Sequence, residues 1–173
     1  MTTVNDLTMM TGGSEAWHSL AYERMNKAFA LSPTLMFDDN SRLVFFSDHH
    51  RGTNGRDDTF AANADLFRYA LSHYYQKGFT YIEVGDGDEL WHNRHFAEIR
   101  RTYGKIFDLL FQFERANRLH LIIGNHESPK GLFDPADKDG IPLEQGLNLQ
   151  HAVTGQSLFA VHGHQAQKGG DQY

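Results

Sequence analysis

Leu119-His120-Leu121-Ile122-Ile123-Gly124-Asn125-His126-Glu127 reads as a short apolar strand running straight into a polar turn. The turn offers an amide oxygen, an imidazole and a carboxylate within three consecutive positions. Asn, His and Asp or Glu are hard or borderline donors for divalent metals. The crevice outside the carboxyl ends of buried strands is where an α/β protein presents such groups. The same order of strand then polar cluster recurs three times. Leu43–Phe46 precedes Ser47-Asp48-His49-His50, Tyr81–Val84 precedes Gly85-Asp86-Gly87-Asp88-Glu89, and Leu158–Val161 precedes His162-Gly163-His164.

Between these strands the apolar period changes from continuous runs to helical spacing. Phe60, Ala64, Phe67, Ala70, Leu71 and Tyr74 form one stripe on a helix from Thr59 to about Lys77, closed by Gly78. Phe96, Ile99, Tyr103, Ile106, Phe107, Leu110 and Phe111 form another, on a helix expected from about His95 to Ala116. Strands alternating with helices argue an α/β domain with parallel pairing at its centre. Residues 1–13 are polar, end in Gly12-Gly13 and read as a flexible arm. Ser14 then caps a helix that Ser32-Pro33 stops. Residues 128–146 hold three of the four prolines and read as an irregular insertion or lid beside the cluster. Two last strands, about 149–153 and 156–161, flank a turn at Thr154-Gly155.

The 173 residues suit one domain, expected over 14–173. A net charge of −6, from 16 basic and 22 acidic residues, gives no pull toward nucleic acid or anionic membrane. Cysteine is absent, which excludes disulfides, thiolate ligands and a cysteine nucleophile. The first residues lack the basic and apolar pattern of a leader. No run approaches the roughly 18 apolar residues of a membrane span. A cytoplasmic location is the expectation.

Within the clusters, Asp48 and His50 are two residues apart, so extended backbone would turn both to one side. Asp86 follows a glycine and can bridge two cations through its two oxygens. Asn125 offers a neutral amide oxygen, and His162 an imidazole at the end of the last strand. His126 points toward the opening as a proton donor, with Glu89 placed to orient an imidazole. Asp88 reads as solvated, Glu127 as a turn former, and His164 stays undecided. Arg51 and Asn54, in the loop after the first cluster, are candidates to meet a phosphate, and Arg56, Arg94, Arg100 and Arg101 are further cations nearby.

Asp48-x-His50, Gly85-Asp86-x-x-Glu89, Gly124-Asn125-His126-Glu127 and His162 together resemble the calcineurin-like metallophosphoesterases, in order and from about Leu43 to His164. The stretch Gly85–Trp91 also resembles members that cleave the pyrophosphate of UDP-diacylglucosamine. The resemblance implies a four-layered α/β sandwich holding two divalent metals drawn from Mn, Fe, Zn, Co or Ni. It implies Asp48, His50 and Asp86 on the first metal, and Asp86, Asn125 and His162 on the second. His126 would be the acid near the leaving group and Glu89 its orienting carboxylate, with a metal-bridging hydroxide attacking phosphorus.

The family's last motif, Gly-His-x-His, is not matched, because Ala166 stands where its second His would be. The expectation is therefore a domain incomplete at its carboxy terminus. Such a chain would be weak or inactive as a phosphoester hydrolase, and an exposed sheet edge would favour self-association. The alternative is a phosphoesterase-like scaffold that binds without turnover.

Overall fold

The computed structural model describes residues 4–56, 58–93, 95–127 and 138–167, with side chains from Trp17 onward. Its centre is a four-stranded sheet in the order β2-β3-β4-β5, formed by Leu43–Phe46, Thr80–Val84, Leu119–Ile122 and Leu143–Glu144. All three neighbouring pairs are parallel, with Val44 opposite Tyr81 and Tyr81 opposite Leu119. A three-stranded sheet, β1-β6-β7, uses Thr34–Phe37, Leu147–His151 and Ser157–Ala160. There β1 runs parallel to β6, and β7 antiparallel to it. The expected α/β class with central parallel pairing is the one found.

The side-chain period of a strand explains how the layers join. Tyr81, Leu119 and Leu121 point to one face of the large sheet. There they pack with Phe67 and Leu71 of α2 (Ala64–Gln76), Phe96 and Ile99 of α3 (Phe96–Thr102), and Ile106, Leu110 and Phe113 of α4 (Gly104–Arg115). Ile82 and Ile122 point to the opposite face and meet Leu147 and Leu149 of the small sheet. Helices therefore cover one face of the large sheet, and the small sheet covers the other. The carboxyl end of α1 (Val4–Leu31) meets the small sheet through an edge contact between Phe29 and Phe159, ring centroids 5.3 Å apart.

Two sequence expectations need correction, and one strand was not expected at all. Helix α1 begins at Val4 rather than at a Ser14 cap, so residues 4–13 of the stretch read as an arm are helical; Gly12 and Gly13 weaken a helix by about 1 kcal/mol each without breaking it. The helix read as continuous from His95 to Ala116 breaks at Tyr103, which leaves helical geometry with ψ at 34°. Its hydroxyl donates to Asp58 Oδ2 at 2.5 Å, and Gly104 follows, where the backbone turns cheaply. Strand β1 escaped notice because four residues after a proline carry little period. The proposed lid at 128–146 lies mostly outside the described residues; its end holds Lys138 and the two-residue β5.

Candidate metal centre

The carboxyl ends of β2, β3 and β4, with that of β7, converge on one place. Asp86 is buried, and its Oδ2 lies 3.4 Å from His162 Nε2 and 3.9 Å from His50 Nε2. Asp48 Oδ1 lies 3.7 Å from His162 Nε2 and 3.8 Å from His50 Nε2. Two carboxylates thus stand between two imidazoles. Donor atoms gather within 4.8 Å of one another in two groups that share Asp86: Asp48 with Asp86 and His162, and His50 with Asp86 and His126.

The backbone achieves this by turning, not by extending. Asp48, His50 and Asp86 all have positive φ, at 56°, 50° and 52°. The left-handed region costs most side chains free energy and is best tolerated by Asn, Asp and His. Strain of this kind is kept where a site requires it. Asp48 and His50 meet because both residues turn, which corrects the expectation from extended geometry. Two glycines make the approach possible. Gly85 has φ of 75°, and a Cβ there would sit 2.5 Å from the His162 ring. A Cβ on Gly124 would collide with the Asp86 carboxylate.

Glu89 fixes two imidazoles at once. Its Oε2 lies 2.8 Å from His126 Nδ1 and 3.3 Å from His50 Nδ1, while Oε1 accepts the Trp91 N–H at 3.1 Å. An ionised carboxylate only accepts, so both rings carry their proton on Nδ1. Nε2 of His50 then has its lone pair turned toward the Asp48 and Asp86 carboxylates. Burial works to raise the Glu89 pKa, but the hydrogen bond and charge of His126 and the charge of His50 outweigh it, and the net shift is downward. His126 is held further by its own N–H on Asp86 Oδ1 at 2.9 Å and by Trp91 stacked 3.8 Å away. At Asp48, burial again works upward, but the Ser47 hydroxyl and the nearby His162 carry the net shift downward.

Asn125 sits in the turn after β4, half-buried, with its carbonyl accepting from Trp91 Nε1 at 2.8 Å. His164 is buried beside the centre, its Nδ1 3.3 Å from His162 Nδ1. His49 turns away from the centre into Phe46, Phe60 and Phe67. Burial depresses its pKa to about 4, so it is neutral at physiological pH.

Arg51 is not where a phosphate could meet it. It is fully buried, with both terminal nitrogens 2.7 Å from the two oxygens of Glu83 and Nε 2.7 Å from Asp88 Oδ1. Its donors are committed to protein carboxylates, which corrects the substrate-binding expectation. Asp88, read as solvated, is likewise fully buried. Asn54 and Arg56 are exposed, Arg100 pairs with Asp108 and Asp139, and Arg94 lies outside the described residues.

Sequence reasoning missed this buried network, though one signal was present. Glu83 stands within an otherwise apolar strand, and a buried carboxylate demands a cation. Among the described residues no helix is long and apolar enough to cross a membrane.

The donors fit divalent cations. Carboxylate and imidazole suit Mn, Fe, Co, Ni and Zn alike, and the Glu89 contact to His50 is the outer-shell carboxylate that a ligating His usually has. A search of curated proteins finds no match to the chain. The profile of the calcineurin-like phosphoesterases matches residues 41–172. That span takes in all four strand-end clusters and most of the chain, which places the protein in the calcineurin-like phosphoesterase family.

Proposed function

We propose that the chain hydrolyses phosphoesters with two divalent ions held side by side, Asp86 being the ligand they share. The observation that carries this reading is the sharing itself: one buried carboxylate belongs to both donor groups. The family pattern would divide the other ligands as Asp48 with His50 and Asn125 with His162, whereas the donor atoms gather as Asp48 with His162 and His50 with His126, so the sharing of Asp86 supports the pair of ions and not that division. When bound, the pair supplies Lewis-acid activation of water and neutralises charge on the phosphoryl group.

The residues around it do the rest. Glu89 holds the Nδ1–H of His126, so Nε2 is the nitrogen left to take up a second proton, which the resulting imidazolium would give to the leaving oxygen. Stacking on Trp91 and the N–H bond to Asp86 keep that ring at one angle. The reading includes a phosphorylated small molecule as substrate and a cytoplasmic setting. It also includes self-association along β7, an end strand of the small sheet that leaves Leu158 60% exposed.

The test begins with chelated protein. Titration with Mn²⁺ should fill two sites per chain and stimulate hydrolysis of an aryl phosphomonoester or phosphodiester above the buffer rate. Folded protein that retains no metal would instead leave a binding scaffold. Light scattering that reports a clean monomer at high concentration would remove the self-association part.

A further inference from the structure

Lys138 is the least expected group near the centre. It is 1% exposed, eleven positions beyond the last motif residue before it, yet its Nζ lies 2.7 Å from Asp88 Oδ2 and 2.8 Å from Glu127 Oε1. A lysine is almost never fully buried unless it is paired, and here it is paired twice. Burial works against its charge, and the carboxylates of Asp88 and Glu127 overcome that and raise its pKa.

The partners of this ammonium hold the ligand loops. Glu127 accepts the Gly87 N–H at 3.1 Å through Oε1 and the Gly124 N–H at 2.9 Å through Oε2. Those amides flank Asp86 and Asn125. Asp88 takes the Arg51 Nε, and the Arg51 backbone is bonded to Gly87 and to Glu89. Arg51 directly follows His50. One ammonium thus ties the first, second and third ligand loops together from below, through two carboxylates.

We infer that Lys138 is a positioning residue for the metal pair: it orients the Glu127 and Asp88 carboxylates, which in turn fix the backbone carrying His50, Asp86 and Asn125. The inference rests on the metal-site reading above. Outer carboxylates that orient ligands are typically worth 10–100-fold in metal affinity, and Lys138 fixes two such carboxylates.

Calorimetric titration of the chelated protein with Mn²⁺ tests it, with far-UV circular dichroism to follow folding. Lys138→Met should bind Mn²⁺ about 10–100-fold more weakly than the wild type. Lys138→Arg, which keeps the charge and can reach both carboxylates, should recover binding to within about threefold of the wild type, given a guanidinium's several donors. If Lys138→Met fails to fold, Lys138→Met with Glu127→Gln removes a cation and an anion together, and the same weakening is expected of it. A folded Lys138→Met that binds as tightly as wild type overturns the inference. So does a Lys138→Arg as weak as Lys138→Met, because ion pairing would then not be the cause. Wild-type protein that binds no Mn²⁺ overturns the metal-site reading itself, and is told apart because no variant is needed to see it.

Discussion

Asp86 and Asp88 are two residues apart on one turn and have opposite employment. Asp86 accepts one backbone N–H and otherwise faces two imidazoles 3.4 and 3.9 Å away. Asp88 is paired with two cations: Arg51 Nε donates to one oxygen, and Lys138 Nζ stands by the other as an ion pair outside hydrogen-bond geometry, each at 2.7 Å. The upper layer, Asp48, His50, Asp86 and His162, keeps donor capacity unspent. The lower layer, Arg51, Glu83, Asp88, Glu127 and Lys138, has spent all of its charges on one another. A strand end can thus carry both an open ligand set and the rigid base that holds it, from the same residue types. What separates them is which way each side chain turns, and whether a cation is built in beneath it.

Exchanging one oxygen for nitrogen should separate the two layers most sharply. Asp86→Asn keeps the acceptor for His126 N–H and suits positive φ, so the fold should persist with stability changed by less than about 1 kcal/mol. Loss of the shared carboxylate should cost at least ~1,000-fold in hydrolysis, about 4 kcal/mol, and weaken Mn²⁺ binding at both sites together. Parallel measurement of turnover and urea unfolding checks both halves. An Asp86→Asn protein that turns over normally would end the contrast.

The converse holds for Asp88→Asn, which leaves two buried cations short of a partner. We expect a loss of about 3 kcal/mol in unfolding free energy, in line with broken buried ion pairs. Burial works to raise the Asp88 pKa, but Arg51 and Lys138 overcome it and the native value lies below 3.8. A depressed carboxylate stabilises the fold fully above its unfolded pKa and loses that contribution as pH falls through the native one. The gap between wild type and variant should therefore be constant above about pH 4 and narrow below it. Urea unfolding at pH 7 and pH 3 measures this, and a gap that widened in acid would refute the assignment.

Between the layers stands Glu89, whose one oxygen serves both His50 and His126. Glu89→Gln keeps the shape, but with its oxygen toward the two rings it removes the negative charge both Nδ1–H groups face and sets an NH2 against the Trp91 N–H that Oε1 accepts. Metal affinity should fall about 10–100-fold, with kcat falling further than affinity because His126 is affected too. Equal losses in both quantities would mean that Glu89 serves His50 alone.

The upper layer was legible in the sequence because each candidate ligand announces itself at a strand end. Apolar runs of four or five residues gave β2, β3, β4 and β7, and the Asp, Asn and His following them needed no knowledge of packing. The lower layer was not legible, for a physical reason. Its pairs join residues 11 to 50 positions apart (Glu127 with Lys138, Arg51 with Glu83, Asp88 with Lys138), and no local period records such a meeting. Arg51 in particular looked like a phosphate clamp because it follows His50 in a polar loop. The loop's turn sends it inward instead. Glu83 alone carried a warning, as a carboxylate in a strand buried on both faces.

Trp91 provides the finest test of how the two layers meet. Its indole lies flat on His126, interplanar angle 18°, and its Nε1 donates to the Asn125 carbonyl at 2.8 Å. Trp91→Phe keeps a stacking ring but removes that donor, leaving the Asn125 carbonyl to a water. A net neutral hydrogen bond is worth about 1 kcal/mol, so hydrolysis should fall roughly fivefold, mostly in kcat. Metal affinity should change less than turnover, because the bond fixes the Asn125 backbone and not a donor shared by both ions. If affinity fell and kcat did not, Trp91 would be supporting Asn125 as a ligand in place of aiming His126. The contrast would then have to be redrawn, with Asn125 moved to the rigid layer.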